Sequence, residues 1–333
     1  MQQSKIRNII HPFPCIGIFP YKYYFCTTMM KIIFALTFAL LFNHYSFSQT
    51  VDEKPLKKKT KFQAGFYLGS YFSNKHTARL YDGYGYDADG NRNEFVNNFT
   101  VEESSFMYRK IVMEYGGGYG QADQIAIALG VDPGQWTFDE TDMPAGMRYN
   151  PAFMVGAQLS YAVTKKDAVL VNVNAAKLTL SGHFTIVLTS PPIGPQQPGF
   201  QNIQTFGISG SEQRLMFQAG YRRLLGDDEI FNFFIEGGPT LNMTEYSGNS
   251  IAINNLRIDL GTYYSQPFYT TYRARYLRGA SIGAFAGLGM NIQANQNWAL
   301  QLLYSPSYEK INIGEVPRPT LHHALGLRAI YSL

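Results

Sequence analysis

The chain has 333 residues, with 28 Lys and Arg against 24 Asp and Glu, and two Cys. Four of the basic residues and both cysteines lie in the first 48 positions, where no acid occurs, so residues 49–333 carry 24 charges of each sign and no thiol. That balance removes the electrostatic case for nucleic-acid binding, and the missing thiols exclude disulfides, thiol catalysis and Cys-ligated zinc after residue 48.

In chain order, the first organised feature is Lys31 followed by the apolar run Ile32–Phe42 and the small-x-small sequence ending at Ser48. This is the layout of a secretory signal (29–48), with cleavage expected after Ser48. The run is too short to cross a bilayer as a helix. Because a signal starts a chain, translation is expected to begin at Met29 or Met30, and residues 1–28 read as a mis-called upstream start. Residues 49–61 are polar and Lys-rich, a short periplasmic lead.

From Phe62 onward the apolar residues alternate. A first strand is expected over 62–72, and seven more over 150–163, 168–189, 202–225, 230–244, 272–292, 298–312 and 320–333. One face of these strands is apolar and free of charge: Phe153, Val155, Ala157, Leu159 and Tyr161, for example, then Val169, Val171, Val173 and Ala175. The opposite faces carry Gln158, Asn172, Asn174, Gln218, Asn291, Gln301 and many glycines. A period of two means that each face meets a different medium. Three connections are tiny, Thr164–Asp167, Gly226–Glu229 and Gln293–Asn297, and those between them are long. Short turns at one end and long loops at the other are the layout of a transmembrane β-barrel. The expected fold is therefore all-β, an eight-stranded antiparallel transmembrane barrel over 62–333. The strands at 168–189 and 202–225 exceed what a membrane needs and are expected to project outward as a hairpin.

The connection after the first strand, 74–148, is expected to form a partly helical extracellular cap. Thr100 and Glu103 have capping-box spacing, which places a helix from there to about Tyr115. Ala122, Ile125, Ala126 and Leu129 form one apolar face of a second short helix, with Gly130 as its stop. A helix that short needs something to pack on.

The turns, together with the last strand Leu325–Leu333, give a chain that resembles the small outer-membrane β-barrel proteins of Gram-negative bacteria. The resemblance covers the signal and residues 62–333. It implies outer-membrane residence among lipopolysaccharide, and a terminal strand read by the barrel-assembly machinery, although a terminal Leu replaces the more usual Phe. The class includes adhesins, anchors, small pores and lipid-modifying enzymes, so fold alone does not choose among them.

Candidate chemistry rests on particular residues. Inside so narrow a barrel Glu236 is expected to face Gln218, with Arg214, Arg222 and Arg328 on other inward faces, as a polar network that plugs the lumen; the rival is a gated polar path. Asp87, Asp89, Asn91 and Asn93 place oxygens at alternate positions, as calcium sites do. The EF-hand glycine is replaced by Arg92, however, and the same residues suit an exposed turn. Arg273, Arg275 and Arg278, with Arg257, are suited to lipopolysaccharide phosphates. His183, His322 and His323 with Ser181 and Ser209 are the residues an outer-rim hydrolase would draw on, but no nucleophile motif frames either serine. No cofactor pattern is present. The expected role is non-enzymatic (binding, adhesion or envelope structure), with a partner engaged by the extracellular loops.

Overall fold

In the computed structural model, residues 61–86, 91–99, 103–112, 121–191, 202–228, 230–260, 278–313 and 318–333 are described. Their strands are β1 (Phe62–Phe72), β2 (Trp136–Thr137), β3 (Ala145–Tyr149), β4 (Ala152–Ala162), β5 (Asp167–Leu188), β6 (Ile203–Leu225), β7 (Phe231–Ile253), β8 (Leu256–Asp259), β9 (Arg278–Gln293), β10 (Trp298–Lys310) and β11 (Pro319–Ser332). Eight of them form a closed antiparallel ring in the order β1, β4, β5, β6, β7, β9, β10, β11. The ring closes where β1 pairs with β4 on one side and β11 on the other, for instance Tyr67 with Gly156 and with Arg328. Closure leaves none of the eight ring strands as an edge, which a sheet in lipid requires. The expected spans agree with the observed ones to within a few residues, except that β7 continues nine residues past Thr244 and that 272–277, the expected start of the strand seen as β9, lies outside the described residues.

The small turns are held by their own side chains. Thr164 Oγ1 accepts from the amides of Lys166 and Asp167, and Asp228 Oδ1 accepts from those of Ile230 and Phe231. Asn295 Oδ1 does the same for Asn297 and Trp298. These are the local bonds for which Thr, Asp and Asn are favoured in turns. The two amides hold the Asp228 carboxyl below its ordinary pKa.

The outward face is apolar over a band of membrane height. On β7 it runs Phe231, Phe233, Ile235, Gly237, Pro239, Leu241, Met243 without a charge. Twelve steps at about 3.3 Å, tilted by about 40°, give roughly 30 Å, close to the roughly 25 Å band of such barrels. Trp298 packs on Tyr331 and Phe62 on Tyr161 at the short-turn rim. This is a transmembrane β-barrel.

Above the band both faces invert. On β5 the outward series Val169, Val171, Val173, Ala175 gives way to Lys177, Thr179, Ser181, His183 and Thr185. The inward series changes the other way, from Asn172 and Asn174 to Leu178, Leu180, Phe184, Ile186 and Leu188. The strand therefore leaves lipid near Lys177 and enters water, where the apolar face must turn inward. β6 repeats the pattern, with Phe206 and Ile208 buried inside. In β7 the parity itself changes: Glu212 pairs with Tyr246 but Ser211 with Gly248, so Ser247 is an extra residue in a β-bulge. The bulge turns Ile251 and Ile253 inward.

The cap fills this extension. The 3₁₀ turn Thr77–Tyr81 and the helices Phe106–Ile111 and Gln121–Leu129 bury Ala78, Leu80, Met107, Ile111, Ile125, Ala126 and Leu129. They share one apolar core with Leu180, Phe184, Ile186, Ile208, Ile251 and Ile253 of the projecting strands. The second helix lies as expected, and Gly130, at φ +72°, ends it while Val131 N–H donates to Ala126 O at 3.0 Å. The first helix departs from expectation. Its cap is Ser105, whose hydroxyl accepts from Tyr108 N at 3.2 Å. Glu103 instead accepts from Asn97 Nδ2 at 3.1 Å, and Ser104 is bridged to Glu94. Local pairing thus claims the residues that capping-box spacing assigned to the helix. Thr100, like the signal and the 49–60 lead, lies outside the described residues.

Candidate functional site

Inward residues of the ring build two buried ion clusters. At the short-turn end Glu236 accepts from Arg328 Nη1 and Nη2 at 3.0 and 2.9 Å, and from Arg222 Nε at 3.0 Å. Arg222 Nη2 donates to Gln158 Oε1 at 2.6 Å and Arg328 Nη1 to Gln301 Oε1 at 3.1 Å. From Gln158 the bonds continue to Asn172 and then to Gln218. Six strands thus contribute to the network around one carboxylate.

The expected Glu236–Gln218 apposition is replaced by Glu236–Arg222, with Gln218 opposite Thr240. The β6–β7 connection closes on the pair Leu225–Phe233, a looser turn than Gly226–Glu229 implies. The register slides by an even number of residues, so every side chain keeps its face.

Arg214 does not join Glu236. It sits toward the long-loop end, where its Nε donates to Glu212 Oε1 at 2.7 Å and Nη1 to Tyr71 Oη at 3.1 Å. Tyr71 Oη in turn donates to Glu309 Oε1 at 3.2 Å, and Asn242 Nδ2 bonds Glu309 Oε2 at 3.0 Å. His322 is stacked on Tyr71. Its Nδ1 lies 3.2 Å from Asn74 N and 3.3 Å from Arg214 Nη1, both of which can only donate. Nδ1 therefore accepts, and Nε2 carries the proton shared with Thr320 Oγ1 at 2.9 Å. Glu212 and Glu309 were not singled out in the sequence. Their parity was readable, since Glu212 alternates with Arg214 and Glu309 with Gln301.

Counted together, three buried arginines face three buried glutamates. The lower cluster holds two arginines and one glutamate, the upper one arginine and two glutamates. Between them is a cavity of about 20 Å³ beside Tyr67, Arg328, Gln218 and Asn174, the size of one water.

The cap is anchored on the upper cluster. Tyr81 Oη donates to Glu212 Oε2 at 2.8 Å and Tyr149 Oη to the same oxygen at 3.1 Å, while Arg214 Nη2 reaches Thr77 Oγ1 at 3.4 Å. Burial, and then the Glu212 charge, hold the Tyr81 hydroxyl well above its ordinary pKa, so it remains a donor.

The remaining sequence candidates are dispersed. His323 faces outward, bonded to Tyr304 Oη at 2.7 Å. Ser181 and His183 lie on the outer face of β5, opposite Ser209 and Gly207 of β6, and Ser209 Oγ is 3.3 Å from Ser250 Oγ. Arg278 is paired with Glu245 at 2.9 Å, and Arg257 donates to Ser250; Arg273 and Arg275 lie outside the described residues. So do Asp87 and Asp89 of the calcium pattern. Asn91 is exposed, and Asn93 is buried with its amide donating to Tyr84 O and Ser104 O. Among the described residues no cluster of three His, Cys, Asp or Glu side chains could hold a metal.

No protein-family model matches the sequence, and no curated protein matches it. Among solved structures the chain is similar to Neisserial surface protein A (7% identity, TM-score 0.36, covering 83% of this chain and 100% of that one). It is also similar to the attachment invasion locus protein of Yersinia pestis, solved with the heparin analogue sucrose octasulfate (8%, 0.32, 82% and 99%). A third is the outer membrane protein OprG from Pseudomonas aeruginosa (9%, 0.33, 83% and 98%). The barrel assignment rests on the closed ladder and the two faces described above, not on these likenesses.

Proposed function

We propose that this protein is an outer-membrane barrel with a non-enzymatic binding or envelope-structural role, its partner engaged through the extracellular cap. The observation that carries this reading is the cap itself. The described residues between 77 and 149 are not a slack loop: they share an apolar core with the projecting parts of β5, β6 and β7 and hang on the Glu212–Arg214 pair. Long loops with their own order are usually functional. The lumen below is crossed by two buried ion clusters, which favours a binding role over the small-pore reading.

The test uses a variant lacking residues 74–148, with β5–β7 cut back to Leu178, Glu212 and Tyr246 so that no apolar inner face is left bare. It is expected to remain a barrel that migrates anomalously on unheated gels, while losing the partner that intact protein retains in envelope pull-downs. Retention of the partner by this variant, or sustained current from the intact protein in planar bilayers, would overturn the proposal.

A further inference from the structure

The two rims of the barrel differ in charge. At the short-turn rim the exposed charges are mixed in sign and offset one another. Lys166 is paired with Asp227 and Arg223 with Asp167, and the Lys61 ammonium lies 5.7 Å from the centroid of the Tyr161 ring. The long-loop rim is different. On β5 the first outward residue beyond the apolar series is Lys177, and on β10 it is Lys310, two residues past the exposed Tyr308. An exposed aromatic ring at that point marks headgroup level. Arg318 stands next to Pro319, the cross-strand partner of Lys310, and residues 314–317 between them lie outside the described residues. All three cations are exposed, and none is in an ion pair among the described residues. Glu245 is at this level too, but Arg278 holds it at 2.9 Å.

Beyond the rim the outward face of β5 continues upward as a polar wall. Arg148 of β3 lies opposite Ser181, and Ser209 of β6 lies on the other side of that serine. Ser181 is four residues past Lys177, with the exposed Thr179 between them. Four steps at about 3.3 Å, tilted by about 40°, put Arg148 roughly 10 Å farther from the lipid than Lys177. Arg148 is also exposed and in no ion pair among the described residues. Farther across the sheet, Arg257 and Asp259 of β8 bring one charge of each sign. This wall is continuous with the lipid-facing surface below it. What it meets is therefore the headgroup layer of the surrounding leaflet, not the cap core or the lumen.

We propose that this wall and rim bind the phosphorylated sugar headgroup of lipopolysaccharide in the leaflet around the barrel. The proposal rests on the outer-membrane placement given above and is independent of what the cap binds. Lys310 and Arg318, side by side, repel each other unless an anion lies between them. Phosphate takes charge-assisted hydrogen bonds from Lys and from Arg, and from Arg in pairs. Anionic headgroups attract such cations within a Debye length of the surface. The asymmetry of the rims locates the anionic leaflet on the long-loop side. A phospholipid phosphate sits at the headgroup plane, where Lys177 and Lys310 are. A glycolipid carries sugars past that plane, to the height of Arg148, where Thr179, Ser181 and Ser209 offer hydroxyls to them.

Native mass spectrometry of the full chain in detergent tests this with three probes: short-core lipopolysaccharide, the same glycolipid dephosphorylated, and phosphatidylglycerol. The intact glycolipid is expected to bind about tenfold more tightly than either of the others. Arg148→Gln with Lys177→Gln is expected to weaken its binding about tenfold, and Lys310→Gln with Arg318→Gln to do the same, with anomalous gel migration kept in both. Lys61→Gln with Lys165→Gln removes equal charge from the other rim and is expected to leave binding unchanged. The inference falls if the dephosphorylated glycolipid or phosphatidylglycerol binds as tightly as the intact glycolipid. It also falls if both long-loop double substitutions leave affinity unchanged, or if the short-turn substitution weakens it as much. A chain that fractionates with outer membranes and still fails these tests loses this inference and keeps the outer-membrane reading.

Discussion

Replacing Glu236 with alanine isolates the logic of the lower cluster. The carboxylate accepts three hydrogen bonds from two guanidiniums, each about 3% exposed. Without it, two buried positive charges face each other with no counter-charge. Breaking a buried pair in this way costs about 3–5 kcal/mol, mostly because the remaining charge is uncompensated. Arg328→Met removes as much of the network but leaves Glu236 and Arg222 as a neutral pair, so its cost is that of lost charge-assisted bonds, about 1–3 kcal/mol. The order Glu236→Ala worse than Arg328→Met follows from the two-to-one stoichiometry and not from the number of bonds. The assay is urea-driven unfolding from lipid vesicles, supported by the temperature at which the unheated-gel form is lost. A loss of 3–5 kcal/mol corresponds to a shift on the order of 10 °C. A Glu236→Ala barrel as stable as the parent, or more stable than Arg328→Met, would refute the reasoning, and a large conductance in Glu236→Ala would show that the cluster gates a channel.

Two further predictions concern the faces of the barrel. Ala286→Arg on the outward face of β9, or Ala157→Arg on β4, is expected to destabilise by about 2–4 kcal/mol near the bilayer midplane, whereas Ser209→Arg, outward but above the inversion at Lys177, is expected to be nearly neutral; equal effects in unfolding assays would misplace the membrane boundary. Gly210→Ala puts a Cβ 2.4 Å from Tyr81 Cδ1 and 2.9 Å from its Cγ, which is expected to push Tyr81 off Glu212. Limited proteolysis should then cut the cap faster while barrel melting barely changes, and an unchanged cleavage rate would mean that Tyr81 is not the anchor.

Strand spans, the lipid face and the cap's second helix were legible in the residues because each depends on a local period. Val169, Val171, Val173 and Ala175 share a face whatever the rest of the chain does, and Ile125, Ala126 and Leu129 share one side of any helix they form. The inversion at Lys177 was readable on the same principle, since parity marks a change of medium. The partners inside the lumen were not. Period two assigns Arg214, Arg222, Glu236 and Arg328 to the inner face but leaves their heights open, and height is set by turn closure. That is why Glu236 met Arg222 and Arg328 while Arg214 found Glu212, and Glu309 through Tyr71. The Ser247 bulge hid the end of β7, because one inserted residue reverses the parity on which the alternation depends. An open groove on the cap gathers Tyr84, Asn93, Glu94, Phe95 and Glu140. Only Asn93 among them belongs to a pattern legible in the sequence, the alternating oxygens from Asp87, and Glu140 joins the others only because the chain folds back across more than forty residues.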